Sequence, residues 1–466
     1  MIEEIVNKLK NKKIAILGFG LEGKSTYKFI RKNLGNIPLT VIDGKDKSSD
    51  ELLKNDNNIN FVFGPQYLNN LDIYDLIIKT PGISLKDIDI TYIKDKITSQ
   101  LELLLEVDRK NIIGVTGTKG KSTTSSLIYE MIMDQGKDVV LAGNIGIPVL
   151  DEIDKYNDNT IIVIEMSSHQ LEFIKTSPHI AIILNLYQDH LDHAGSLEHY
   201  HNNKMNIFRY QTPDDICLYS SDNEYTINKL KEYDYKAKKY DVSFNDQNIS
   251  DTSVRISKPY VYLGNKLIYT DGKRNLIGDH YLKDIMFVTA LADIIGLDLN
   301  KVSQTIENFK PLEYRLENIG VVDGINYYVD TIATIPEATI EAVKALPNID
   351  TLIFGGEDRH TSYDHFIDFL NNDSKAKGIR NLICMYGTGA RIFPKLDRTN
   401  KNIYYTSDLR EAYEYASKVT EKGKICLLSP AASSKDFFID YQEKGKYFKC
   451  LVNHQQTDIK EHQKKL

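Results

Sequence analysis

Apolar residues in this chain fall in short runs, each stopped by a glycine-rich or polar turn and separated by longer amphipathic stretches. Residues 13–17 run into Gly18-Phe-Gly20-Leu-Glu-Gly23 and then a helical pattern to about residue 32. A run at 38–42 ends at Asp43, and another at 75–80 ends at Pro81-Gly82. Further runs at 112–115, 138–141, 161–164 and 180–186 each stop at a polar or glycine cluster. Short continuous apolar runs alternating with helical patterns predict an α/β protein with mostly parallel sheets. Residues 220–272, rich in Tyr, Lys and Asp, predict an antiparallel insertion with short strands at 260–263 and 266–269. Helices are expected at 281–296 and 301–309, and Pro311 marks a boundary. The remaining residues read as another α/β domain, with strands near 327–329, 351–354, 382–385 and 425–428.

Two glycine loops compete for a nucleotide. The first, residues 18–25, satisfies G-x-x-x-x-G-K-[ST]; the second, at 111–124, has Val115 where that pattern wants its first glycine. Context separates them. The first follows a strand, opens a helix, and has Asp43 twenty residues after Gly23, the pattern of a dinucleotide-type loop with its ribose-facing acid. No acid downstream of it fits a metal site. The second loop is followed by a buried strand ending in Glu165, where a Mg²⁺ ligand is expected, and by a strand ending in Asp189-His190-Leu191-Asp192. Its backbone N–H groups at a helix N-terminus would cradle phosphates, Lys121 would add charge, and Ser122 would reach the metal.

Residues 196–208 have helix periodicity, with Leu197, Tyr200, Lys204, Ile207 and Phe208 on one stripe. Lys204 therefore stands within a face that should be buried. Either its head snorkels to solvent, or it turns towards the carboxylates and His190 as a functional lysine. In the last domain the strand ends carry Asp330-Thr331, Gly355 to Arg359, Gly387-Thr388-Gly389 and Ser429 to Ser434, a series that favours a ligand-facing rim.

Composition removes several classes. At 466 residues the chain allows two to four domains, and 41% apolar with 26% charged residues is ordinary for a globular protein. A net charge of −7 without a basic run argues against nucleic acid. Four scattered cysteines suggest neither a metal knuckle nor disulfides, as in a reducing cytosol. No apolar run approaches ~18 residues and the first residues lack a signal-peptide core, so a soluble cytoplasmic protein is expected.

Taken in order, Thr116-Gly-Thr-Lys-Gly-Lys-Ser122-Thr, Gly143-Asn144-Ile-Gly146, Glu165-Met-Ser-Ser, Asp189-His190-Leu-Asp, Lys204, Tyr314-Arg315 and Ser429-Pro-Ala-Ala-Ser-Ser434 resemble the Mur ligase family. That family's ATP loop characteristically lacks the first glycine, which settles the competition between the loops. The resemblance implies three domains: 1–98, Rossmann-like and holding UDP; 99–311, the P-loop ATPase; and 312–466, Rossmann-like and bringing the amino acid. It implies an enzyme adding D-glutamate to UDP-N-acetylmuramoyl-L-alanine through an acyl phosphate during peptidoglycan precursor synthesis, as a cytoplasmic monomer acting on small molecules.

The same resemblance implies the roles of individual residues. Thr116, Gly117, Thr118, Lys119, Gly120, Lys121, Ser122 and Thr123 would bind ATP, with Arg315 and Asp330 reaching it from the last domain. Ser122, Glu165, His190 and a CO2-derived carbamate on Lys204 would hold two Mg²⁺, with Asn144 near phosphates and substrate. Gly18, Gly20, Leu21, Glu22, Asp43, Pro81 and Gly82 would hold the UDP substrate, and Thr334, Arg359, Ser434 and Tyr441 the glutamate. The sequence departs from the family at Ile332 and Ile335, where a lysine and an asparagine are usual, and at Tyr281 and Asp284, where asparagines are usual. Tyr441 stands for the usual Phe. A subgroup with a similar Ile-Ala-Thr-x-Pro-Glu box joins L-glutamate, which keeps the stereochemistry open. A non-catalytic nucleotide-binding scaffold and an NAD(P)-dependent oxidoreductase are the readings from other classes. The oxidoreductase leaves the second loop, Glu165 and Lys204 unexplained.

Overall fold

Strands made of Ile, Val and Leu on both faces must be covered on both faces, and three sheets meet that demand. A computed structural model of the chain describes residues 1–188, 195–245, 249–359, 361–435, 437–457 and 459. The first sheet is parallel, in the order β3-β2-β1-β4-β5, from β1 (Ile14–Leu17), β2 (Leu39–Asp43), β3 (Ile59–Phe63), β4 (Leu76–Lys79) and β5 (Ile97–Thr98). In the second, β6 (Ile112–Thr116), β7 (Val139–Gly143), β8 (Ile161–Glu165), β9 (Ile180–Ile183), β10 (Ile216–Ser220) and β11 (Lys238–Val242) run parallel. The third comprises β15 (Glu317–Val322), β16 (Ile325–Val329), β17 (Ile349–Gly356), β18 (Asn381–Gly387), β19 (Asn402–Thr406) and β20 (Ile425–Leu428), in the order β15-β16-β20-β17-β18-β19. Every residue of β1, β6, β9, β17 and β20 is buried, the signature of central strands.

Two compact units divide the chain. One holds the first two sheets, residues 1–273 and 283–307; the other holds residues 274–282 and 308–466 with the third sheet. No described helix is long and apolar enough to cross a membrane.

The structure corrects two expectations. Residues 220–272 are no separate antiparallel insertion: β11 and β12 (Ser253–Ser257) extend the central sheet in parallel, and only β13 (Tyr260–Leu263) and β14 (Lys266–Thr270) turn antiparallel. The run at 180–186 is strand only to Ile183, because its next backbone groups serve the phosphate loop. Strands β3, β5, β10, β15 and β19 fall outside the runs expected from the sequence, although β3 is four-fifths apolar. Of these, β15 and β19 are edge strands with mostly open surfaces, so burial imposes no clean pattern on them.

Candidate active site

The central sheet gathers the phosphate-loop residues at the carboxyl ends of β6, β7, β8 and β9. Strand β6 delivers Thr116, whose Oγ1 donates to the Met166 carbonyl at 2.7 Å and so ties the loop to the turn after β8. Gly117 and Gly120 have φ of +155° and +88°, and a Cβ on Gly120 would meet the Asp284 carboxylate at 2.7 Å. Helix Lys121–Met133 then begins. Lys121 Nζ donates to the carbonyls of Gly117 and Thr118 at 3.0 and 3.1 Å.

Lys204, on helix Leu197–Arg209, is 2% exposed, which rules out a head snorkelling to solvent. Its Nζ donates to the same Gly117 carbonyl, at 3.0 Å, and lies 4.9 Å from the centre of the Tyr200 ring. Two lysines thus converge on one oxygen of the phosphate loop.

Glu165 ends β8, also 2% exposed. Asn144 Nδ2 donates to its Oε1 at 2.7 Å, and the Asn144 backbone N–H donates to its carbonyl at 2.9 Å. A side chain on Gly143 would strike that carbonyl at 2.4 Å, so glycine there lets β7 approach. The other carboxylate oxygen, Oε2, is buried with no hydrogen-bond partner among the described residues. A buried orphan oxygen one strand from the Ser122 hydroxyl suits a hard divalent cation. Among the described residues, no group of three or more His, Cys, Asp or Glu side chains is placed to hold a metal ion. His190, with Asp189 to Ala194, lies outside the described residues.

The first glycine loop is built differently. Gly18 has φ of +94°, and a Cβ on Gly23 would strike the Gly18 carbonyl at 2.1 Å, so strand and helix meet through bare backbone. Asp43 Oδ2 accepts from the Phe19 N–H at 2.9 Å, which turns this acid onto the loop itself. Lys24 points to Asp50 at 2.6 Å. Leu21 is 61% exposed beside Gly20, whose Cβ position is open, and Pro81-Gly82 follow β4. Glu22 is bonded to Gln170 at 2.7 Å, and burial pushes its carboxyl up to about 7.

In the second unit the rim forms at the carboxyl ends of β16, β17 and β20. Asp330 accepts from the Leu316 N–H at 3.1 Å and from the Ser429 hydroxyl at 2.9 Å, so it pins the turn that carries Arg315. Thr331 Oγ1 donates to the Tyr441 carbonyl at 2.7 Å, and the Glu357 N–H to the Ser433 carbonyl at 2.8 Å. These bonds bring the segments of Thr334, Arg359, Ser434 and Tyr441 together. Arg359 pairs with Glu357 at 3.3 Å, and Ser434 Oγ is buried with no hydrogen-bond partner among the described residues.

Residues 12–99 match the MurD-like N-terminal domain of Mur ligases, and residues 115–292 match the Mur ligase middle domain. A UDP-N-acetylmuramoylalanine–D-glutamate ligase of Acetivibrio thermocellus is 31% identical, the alignment covering 97% of this chain and 98% of that one. Its counterpart in Caldanaerobacter subterraneus is 32% identical, covering 95% and 98%. The chain belongs to the Mur ligase family. Among solved structures, the MurF ligase of Thermotoga maritima in complex with ADP shares the fold, with a TM-score of 0.58 at 16% identity over 90% of this chain and 96% of that one.

Two residues of this Mur ligase escaped the sequence reading. Asn185 clamps the phosphate loop from both sides: its Oδ1 accepts from the Lys119 N–H at 2.8 Å and its Nδ2 donates to the Lys119 carbonyl at 3.0 Å. An asparagine two residues past a strand end was the only signal. Lys444 is fully buried on helix Tyr441–Val452 and donates to the Gly355 carbonyl at 3.0 Å. Its place on that helix's buried face is the signal that singled out Lys204.

Proposed function

We propose that this ligase joins D-glutamate to UDP-N-acetylmuramoyl-L-alanine at the expense of ATP, as part of peptidoglycan precursor synthesis. The observation carrying this reading is the convergence of Lys121 and Lys204 on the Gly117 carbonyl, one strand from a buried Glu165 with an unsatisfied oxygen. D-glutamate is chosen over other amino acids because relatives named for it align over nearly the whole chain. The Ile332 and Ile335 substitutions favour L-glutamate as the second reading.

The chemistry assigned is attack of the alanyl carboxylate on the γ-phosphorus of ATP, releasing ADP and forming an acyl phosphate. The glutamate amine then attacks the acyl carbon, loses a proton, and phosphate leaves with its bonding pair. Lys121 and the amides of Thr116 to Thr123 hold phosphate charge, with Arg315 and Asp330 assigned to the nucleotide. Ser122 and Glu165 would hold one Mg²⁺ and His190 a second, supplying neutralisation of phosphate charge. Asn144 fixes the Glu165 carboxylate so that Oε2 remains for the cation. Lys204 is assigned a carbamate, formed when its neutral amine adds CO2 and releases a proton; the remaining N–H can still donate to the Gly117 carbonyl.

Gly18, Gly20, Leu21, Asp43, Pro81 and Gly82 are assigned to the UDP substrate with Glu22 beside them. Thr334, Arg359, Ser434 and Tyr441 are assigned to glutamate, a guanidinium being suited to clamp a carboxylate. The domain limits 1–98, 99–311 and 312–466 and a cytoplasmic monomer belong to the same reading. The four free cysteines fit a reducing compartment. Substrate labelled with ¹⁸O in its alanyl carboxylate tests the route. One label should appear in the released phosphate, and unlabelled phosphate would exclude an acyl phosphate.

A further inference from the structure

The turn after Glu165 reaches into the first sheet by two separate routes. Ser167, two residues past Glu165, donates through its backbone N–H and its hydroxyl to Gln170 Oε1, at 2.9 and 3.1 Å. That fixes the amide, so Nε2 is the end left to donate outward, and it donates to Glu22 Oε1 at 2.7 Å. Glu22 is held in turn, its carbonyl accepting from Gln100 Nε2 at 2.6 Å.

The second route runs through Glu172. Its Oε2 pairs with Lys79 at 3.2 Å and its Oε1 with His199 Nε2 at 3.2 Å. Lys79 ends β4, is 4% exposed, and sits 5.4 Å from the Phe173 ring centre. His199 is in the first turn of the helix that carries Lys204, and Asn206 of that helix donates to the Leu171 carbonyl at 2.9 Å. Between the routes lies a cavity of about 10 Å³, room for one water, lined among others by Glu22, Lys79, His169 and Gln170.

We propose that the segment Ser167 to Phe173 is a brace coupling the first glycine loop to the phosphate-loop site, with Glu22 a positioning residue rather than a substrate contact. This rests on the nucleotide reading of the phosphate loop. Ordering of the turn after Glu165 by nucleotide then orders Gln170, and through it the helix that opens at Leu21. The polarity of the Gln170–Glu22 bond makes the brace testable by exchange. Gln170→Glu removes the only side-chain donor to the Glu22 carboxylate among the described residues and sets two carboxylates against each other. Adding Glu22→Gln restores a donor from the opposite side, while Glu at position 170 still accepts from Ser167.

The measurement is amide hydrogen exchange of residues 18–26 and 116–124 at pH 8, with and without Mg·ATP and with no UDP substrate. In the parent protein ATP should slow exchange in both stretches, by at least about fivefold at residues 18–26, the lower end of ordinary site coupling. Gln170→Glu should keep protection at 116–124 and lose it at 18–26, and the double variant should regain it. Protection confined to 116–124 in the parent would overturn the brace while leaving the nucleotide reading intact. So would a double variant behaving like Gln170→Glu. Absence of protection at both stretches would overturn the nucleotide reading and the brace with it.

Discussion

Lys204→Met separates what the buried lysine does for the fold from what it does for the reaction. Methionine keeps the apolar stem and approximate volume among Tyr200, Ile207 and Phe208 while deleting the charged head. The Gly117 carbonyl is not orphaned, because Lys121 still donates to it at 3.0 Å. For the unmodified lysine, before CO2 adds, the lost bond from an ionised donor is worth about 1.5–3 kcal/mol, against a relieved desolvation penalty of several kcal/mol, so net stability should move by no more than about 1 kcal/mol. Activity should fall by about 10²–10³-fold, the range for losing one charged or hydrogen-bonding group aimed at the reacting centre. Lys204→Ala should lose as much activity and roughly 2 kcal/mol of stability, because it leaves a cavity. That cavity gives a discriminating assay. Short carboxylic acids such as acetate should restore part of the Ala variant's turnover and none of the Met variant's, if an anion belongs there. Met retaining more than about a third of parental turnover, at unchanged stability, would refute the role assigned to Lys204.

Four further outcomes follow from the geometry. Asn144→Ala leaves Glu165 Oε1 without its side-chain donor and should raise the Mg²⁺ concentration for half-maximal activity by about tenfold. An unchanged Mg²⁺ titration would remove Asn144 from the metal site. Asn185→Ala frees Lys119 at both backbone groups and should raise KM for ATP about tenfold with little change in melting temperature, read by steady-state kinetics and thermal denaturation. Burial holds His201 at about 4, so the unfolded chain binds more protons between about 4 and 6.5, and stability from this group is lost as pH falls through that window; His201→Gln should flatten that slope. Glu22 acts in the opposite sense. Its carboxyl is raised to about 7, the folded state binds the extra proton between 4.5 and 7, and stability falls as pH rises there, a slope that Glu22→Gln should abolish in denaturant melts.

The phosphate loop, Glu165 and Lys204 are legible in sequence because each breaks a local rule. A glycine-rich turn interrupts a strand–helix unit, an acid ends a β-branched strand, and a lysine sits on an apolar stripe. The partners that hold them are less legible. Asn185, Gln170 and Glu172 are ordinary polar residues in short connecting segments, and their roles arise from contacts between segments far apart in the chain. Edge strands β15 and β19 are weak for a related reason, since one open side relaxes the demand for apolar residues. The strict G-x-x-x-x-G-K-[ST] match at residues 18–25 is the instructive case. Its lysine is committed to Asp50 and its serine is 2% exposed within a helix, so pattern alone would have chosen the wrong loop.

Phosphate release from ATP, measured with UDP-N-acetylmuramoyl-L-alanine and D-glutamate, L-glutamate or no amino acid, tests the central claim most directly. Release should require the UDP substrate and proceed with D-glutamate alone. Release with L-glutamate alone would keep the fold and chemistry and contradict the amino-acid assignment, and release with neither would contradict the proposed reaction.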